Sequence, residues 1–128
     1  SQDSEIVPRA LLLQKFLLKD IEADPFKKGA LLHYLQLSAE VCIDIGQMII
    51  TAASFELPVE SAQIFIVLGK QKILPASFAK DFSSIARFRN LLVHEYVKID
   101  MANVYVYLQS RLIDFEKFAK LMAKYIRK

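Results

Sequence analysis

Apolar residues return every three or four positions over most of this chain, the period of an α-helix with one face turned to a core. The first run, about residues 6–22, places Ala10, Leu13, Leu17 and Ile21 on one face. The second begins at Pro25 and continues to about Ser54, with Leu31, Leu35, Cys42, Ile45 and Ile49 in register. Apolar residues surround most of its circumference, which predicts the central helix. One polar stripe survives on it: His33, Gln36, Glu40, Asp44, Gln47 and Thr51. A short third run, about residues 59–71, ends near Gly69. A fourth starts at Pro75 and sends Phe78, Phe82, Ile85, Phe88 and Leu92 toward the core. The last runs from Asp100 to the end, with Tyr105, Leu108, Leu112, Phe115, Ala119, Met122 and Ile126 as its stripe.

The prolines punctuate these runs. Pro8, Pro25, Pro58 and Pro75 stand at or just before a helical segment, where a missing N–H costs nothing. Asp24 and Asp100 are natural N-caps. Neither a repeat nor a linker divides the chain, so the expectation is one all-α domain over residues 1–128, an up-and-down bundle of four to five helices.

Composition adjusts this picture in three ways. With 54% apolar residues in 128, more apolar surface exists than one small core consumes, which favours a homodimer or a fixed partner. The net charge of +3 permits contact with a phosphate backbone without demanding it. The single Cys42 excludes an intramolecular disulfide and a cysteine-based zinc site and suits a reducing compartment, so a cytoplasmic location is expected. The longest charge-free apolar run, Ile45 to Phe55, is too short and too polar to span a bilayer, and no secretory signal is visible. The chain begins at Ser1 rather than Met, so residues 1–4 carry no weight here.

Chemistry gathers late in the fourth run, which reads Arg89-Asn90-Leu91-Leu92-Val93-His94-Glu95-Tyr96. At about 100° per residue, Arg89, Val93 and Tyr96 fall on one side with Asn90 and His94 beside them. Phe88, Leu91 and Leu92 point the other way. His94 titrates near neutrality and can take or give a proton. Arg89 offers a permanently charged fork suited to a phosphate, and Asn90 can orient the imidazole or hold a phosphate oxygen. Acid/base work with anion stabilisation suffices to cut RNA, because the substrate's own 2′-hydroxyl is the nucleophile. The competing reading is a helix end at which Arg and His oppose the dipole.

The stretch from Arg89 to Tyr96 resembles the Arg-x4-His-x-Tyr signature of HepT-like toxins in the HEPN nuclease superfamily. The resemblance extends to the acid-containing central helix (Ala39-Glu40-Val41-Cys42-Ile43-Asp44), the short third helix and the trailing Ile99-Asp100. It implies a homodimer in which two motif helices face each other across a composite cleft. It implies metal-independent endoribonuclease activity with no cofactor, with Arg89 and His94 catalytic and Asn90 in support. It also implies a cognate minimal nucleotidyltransferase antitoxin, which blocks the toxin by contact or by attaching AMP to Tyr96.

Glu40 and Asp44, one turn apart, are then expected beside the motif helix to orient Arg89 or His94; the alternative is a solvated face. His33 reads as a surface or interface histidine and Cys42 as a buried thiol. Lys117, Lys120, Lys124, Arg127 and Lys128 form a candidate RNA track or a solvated face. Tyr105 belongs to the core stripe, whereas Tyr107 could stack on a base. The competing function is a non-catalytic helical dimer that binds a nucleotidyltransferase or a nucleotide. More remote is a structural bundle whose basic helix end is coincidental.

Overall fold

The computed structural model describes residues 17–94, the last of them in its backbone only, and 100–127. Six helices lie within them: α1 (Leu18–Ala23), α2 (Pro25–Ala52), α3 (Ser61–Lys70), α4 (Ala76–Phe82), α5 (Ser84–His94) and α6 (Met101–Arg127). The expected face of the first run is described only at its end. Ala10 and Leu13 lie outside the described residues. Ile21 is fully buried, but Leu17 is 57% exposed, because its extended backbone (φ −78°, ψ 151°) places it before the first turn of α1.

Asp24 caps α2 as the sequence requires, accepting from the N–H of Phe26 at 2.9 Å and of Lys27 at 3.4 Å. The carboxylate of Asp100 caps α6 in the same way, accepting from Ala102 N–H at 2.9 Å. The central helix buries Leu31, Leu35, Ala39, Cys42, Ile43, Ile49 and Ile50, and α5 packs against it. By length and composition α2 also passes as a membrane span, a possibility that the charge-free run alone does not reveal. Its apolar side chains instead join the core to which every described helix contributes.

The core is aromatic where α3, α4 and α6 converge. Phe65 meets Phe82 edge-on at 5.0 Å, and Phe82 stacks on Phe118 at the same separation. Such geometries add to what burial alone contributes. They also correct the expected stripe of the last helix. Phe118 is buried and Ala119 exposed, while Ile126 stands 67% in solvent. The aromatic cluster selects the three-residue step from Phe115 to Phe118 over the four-residue step to Ala119.

The fourth run is broken. The Ser83 hydroxyl donates to the Lys80 carbonyl at 2.6 Å and the Ser84 hydroxyl to the Asp81 carbonyl at 2.9 Å. The Asp81 carbonyl also receives Arg111 from α6 at 3.1 Å. These donors compete with the helical ladder, and Ser83 becomes the joint between α4 and α5. Leu91, expected inside, is 37% exposed, whereas Leu92 is buried.

The third helix ends at Lys70, next to Gly69 as expected, and the glycine serves packing as well. A Cβ there would lie 2.7 Å from that of Ala79, so the glycine allows α3 and α4 to approach. The chain turns later, at Lys72, whose φ of 61° is left-handed. Ile73 N–H then reaches the Leu68 carbonyl at 2.9 Å, closing the helix end.

Candidate active site

Burial of Ile85, Ala86 and Leu92 fixes how α5 is rotated. Arg87 and Asn90 consequently face solvent, and Arg89 is half-buried between the core and that surface. Steps of three and four residues lead from Arg87 through Asn90 to position 94, the last residue of the helix. The His94 side chain and all of Tyr96 lie outside the described residues.

Beside this row runs an open groove of about 480 Å³, bounded by Glu60, Ser61, Gln63 and Ile66 on one side and by Arg87 and Asn90 on the other. Asn90 belongs to both groove and motif, and a hydrogen bond ties Arg89 to the groove as well. The Arg89 guanidinium donates through Nη2 to the Ser61 hydroxyl at 3.3 Å. Its Nε is buried and has no hydrogen-bond partner among the described residues. A guanidinium carries five N–H donors in one plane. With one of them held by Ser61, the fork retains other N–H donors suited to an anion.

The two helix-two carboxylates stand elsewhere in this network. Glu40 is half-buried and accepts from Gln36 Nε2 at 3.2 Å, and Asp44 is exposed. Among the described residues Arg89 is held by the Ser61 hydroxyl rather than by either acid. Sequence reasoning missed Ser61, Gln63 and Arg87. Ser61 opens a helix and reads locally as a terminus residue, so only the tertiary approach of α3 to α5 reveals it. Among the described residues no three His, Cys, Asp or Glu side chains gather as a metal site.

The remaining candidates resolve into surface and core. His33 is exposed and tilts against Tyr34 at 5.6 Å, and Cys42 is buried. Lys117 sits over the Phe78 ring at 4.9 Å, while Lys120 and Lys124 are exposed along α6. Tyr107 is stacked on Phe88 with centroids 3.9 Å apart, so that face of its ring is occupied by the protein's own aromatic. Burial pushes its phenol far above the ordinary range, with Asp114 and Cys42 adding to the rise and Arg111 opposing it. It remains a neutral phenol at physiological pH.

The chain is similar to known proteins. The family described as "Ribonuclease HepT-like" matches residues 9–122, a span that contains the whole Arg89–Tyr96 motif. The chain is 30% identical over 92 residues to the tRNA nuclease HepT of Aphanizomenon flos-aquae, a match covering 72% of this chain. It is 29% identical over 84 residues to the mRNA nuclease HepT of Shewanella oneidensis, covering 66% of this chain. Each match spans 63% of the relative's own length. The fold is that of a tri-AMPylated Shewanella oneidensis HEPN toxin solved in complex with an MNT antitoxin. That likeness has a TM-score of 0.76 at 22% identity, over 94% of this chain and 98% of that one.

Proposed function

Because the chain belongs to the HepT-like ribonuclease family, we propose that it is a metal-independent endoribonuclease toxin whose catalytic set is Arg89, Asn90 and His94. The observation that carries this reading is the hydrogen bond that ties the Arg89 fork to Ser61, a residue lining the same groove as Asn90. An RNA strand entering the groove brings a phosphate to a planar cation that has donors to spare.

The chemistry then needs little more. The 2′-oxygen attacks the adjacent phosphorus, the bond to the 5′-oxygen breaks, and a cyclic phosphate and a 5′-hydroxyl remain. A proton leaves the 2′-hydroxyl and one reaches the departing oxygen. His94 is the motif group whose ordinary pKa suits either transfer near pH 7. Arg89 stabilises the charge that builds on the phosphoryl oxygens, and Asn90 positions the imidazole or an oxygen. Any support from Glu40 and Asp44, on the helix against which α5 packs, would be given to His94, since Ser61 holds Arg89. The relatives named for tRNA and for mRNA cleavage support RNA as the substrate class.

The active unit is a homodimer in which two copies of α5 complete one cleft. Support comes from Leu91 and Val93, apolar side chains that α5 leaves exposed beside the motif. The partner is a nucleotidyltransferase antitoxin like the one in the solved toxin complex. AMP on Tyr96 would bring a negatively charged phosphodiester and a purine next to the motif, where they repel and obstruct the RNA backbone. Light scattering of the free chain, together with the mass of Tyr96-containing peptides after co-expression with a nucleotidyltransferase, tests these two statements. A micromolar monomer would remove the first. An unmodified Tyr96 in a fully inhibited complex would remove the second.

The deciding experiment incubates the purified chain with total RNA in excess chelator, beside Arg89→Ala and His94→Ala. The wild type is expected to cut, and each variant to lose on the order of a hundredfold or more. Activity that requires a divalent ion, or that survives in the histidine variant, contradicts the mechanism.

A further inference from the structure

We propose that the groove between the start of α3 and α5 is a base-reading subsite of the RNA cleft, in which Glu60 selects a nucleobase that carries an exocyclic amino group. This rests on the nuclease reading above and goes beyond it, because that reading assigns the motif residues to phosphate and ribose alone.

Position comes first. Ser61 lines the groove and also accepts from Arg89, so the groove lies one side-chain contact from the guanidinium. Asn90 lies along it as well. Whatever fills the groove therefore lies close to the guanidinium to which the nuclease reading brings a phosphate. At about 480 Å³ the groove falls within the roughly 300–1,000 Å³ typical of clefts that take small ligands. Ile66 supplies an apolar surface for the face of a ring, and the rim is polar.

The charges on that rim are mixed, and this decides the chemistry. Arg87 is exposed on the α5 side and suits a flanking phosphate. Glu60 is an acid in a groove meant for a polyanion, where it repels the backbone and contributes only by accepting from a base edge. Its carboxylate is not spent on the helix it precedes, since Glu60 occupies the N-cap position of α3 without a capping hydrogen bond. A carboxylate has two acceptor oxygens and no donor. Guanine presents N1–H and N2–H side by side to such a pair, and adenine and cytosine each offer an amino group. Uracil offers one ring N–H flanked by two carbonyl oxygens that face the carboxylate unfavourably. Gln63, exposed on the same rim, can serve the remaining acceptor of the base. The subsite should therefore rank guanine first and uracil last.

The test uses the full chain on short single-stranded RNAs randomised on both sides of the cleaved bond, with product ends counted by sequencing. The wild type is expected to favour guanine over uracil at one flanking position by roughly tenfold, the discrimination of one good base contact. Glu60→Gln keeps the size of the side chain but replaces one acceptor with a donor, and it should shrink that ratio severalfold. Gln63→Ala should shift the order among the amino-bearing bases. Because the readout is a ratio between bases, any loss of folded protein scales all of them equally. A wild type with no preference at either flanking position overturns the proposal, and so does a ratio unchanged in Glu60→Gln. Those outcomes leave the nuclease reading standing, whereas failure of the wild type to cut any RNA removes both.

Discussion

Against α2, helix α3 packs as closely as a glycine allows, and against α5 it stands off. A Cβ on Gly46 would lie 2.6 Å from Cγ2 of Ile64, so the two helices meet with no side chain between them on the α2 side. On the other flank, the first turn of α3 leaves the groove that Arg87 and Asn90 border, bridged by the Ser61–Arg89 hydrogen bond. The difference shows how a small bundle can carry a polar site. The tight seam fixes α3 without using its outer face, and that face is then free to hold a guanidinium at the edge of solvent. The Gly69–Ala79 approach secures the other end of the helix against α4 in the same manner.

Substitutions at three positions test the contrast between seam and groove. The largest expected effect is that of Gly46→Val, which drives a branched side chain into the buried Ile64. Overpacking of this kind costs about 1–3 kcal/mol, seen as a lower midpoint in denaturant with cleavage per folded molecule retained. Unchanged stability would mean that the seam is looser than the contact distance states. Ser61→Ala acts on the groove instead. Loss of one hydrogen bond to a charged group is expected to reduce kcat about two- to tenfold, and Ser61→Thr, which keeps a hydroxyl, should recover most of it. If kcat does not move, Arg89 is positioned by something other than Ser61. The smallest effect has the opposite sign. Gly29 lies in the same helix as Gly46, but a Cβ there meets nothing within 4 Å. Gly29→Ala should therefore stabilise by about 0.5–1 kcal/mol through backbone entropy alone, and a loss would reveal a contact at that surface.

The same contrast explains what could be read from the sequence. The seams are apolar and periodic, so the helices α2, α3 and α6 and their caps at Asp24 and Asp100 follow from pattern and local chemistry. The errors arise where two local preferences compete or where tertiary contacts choose between them. The serine pair Ser83-Ser84 breaks a run whose apolar period is continuous. Phe118 displaces Ala119 from the core because aromatic neighbours on α3 and α4 reward it. Gly69 marks the helix end as its sequence position suggests, but its close approach to Ala79 is a tertiary contact that local pattern does not show. Arg89 and Asn90 stand out in the sequence because the motif is contiguous on one helix, and both lie at or beside the groove. Ser61 does not stand out, since nothing near it in sequence indicates that Arg89, 28 residues later, donates to it. Glu40 and Asp44 were placed by the helical period on a polar stripe, which fixes a face of α2 but not a partner.

The central claim is that the substrate's own hydroxyl does the cutting while Arg89, Asn90 and His94 manage charge and protons. It is tested most directly by an RNA that the chain cleaves at one position, compared with the same strand carrying a single 2′-deoxy nucleotide immediately 5′ to the cleaved phosphate. Both strands bind through the same phosphates and bases, and only the nucleophile differs. The account predicts cleavage of the first, with a cyclic phosphate on the 5′ fragment, and none of the second at that position. Cleavage of the deoxy-substituted strand at the same bond would show that water or a protein group is the nucleophile, and would contradict the account.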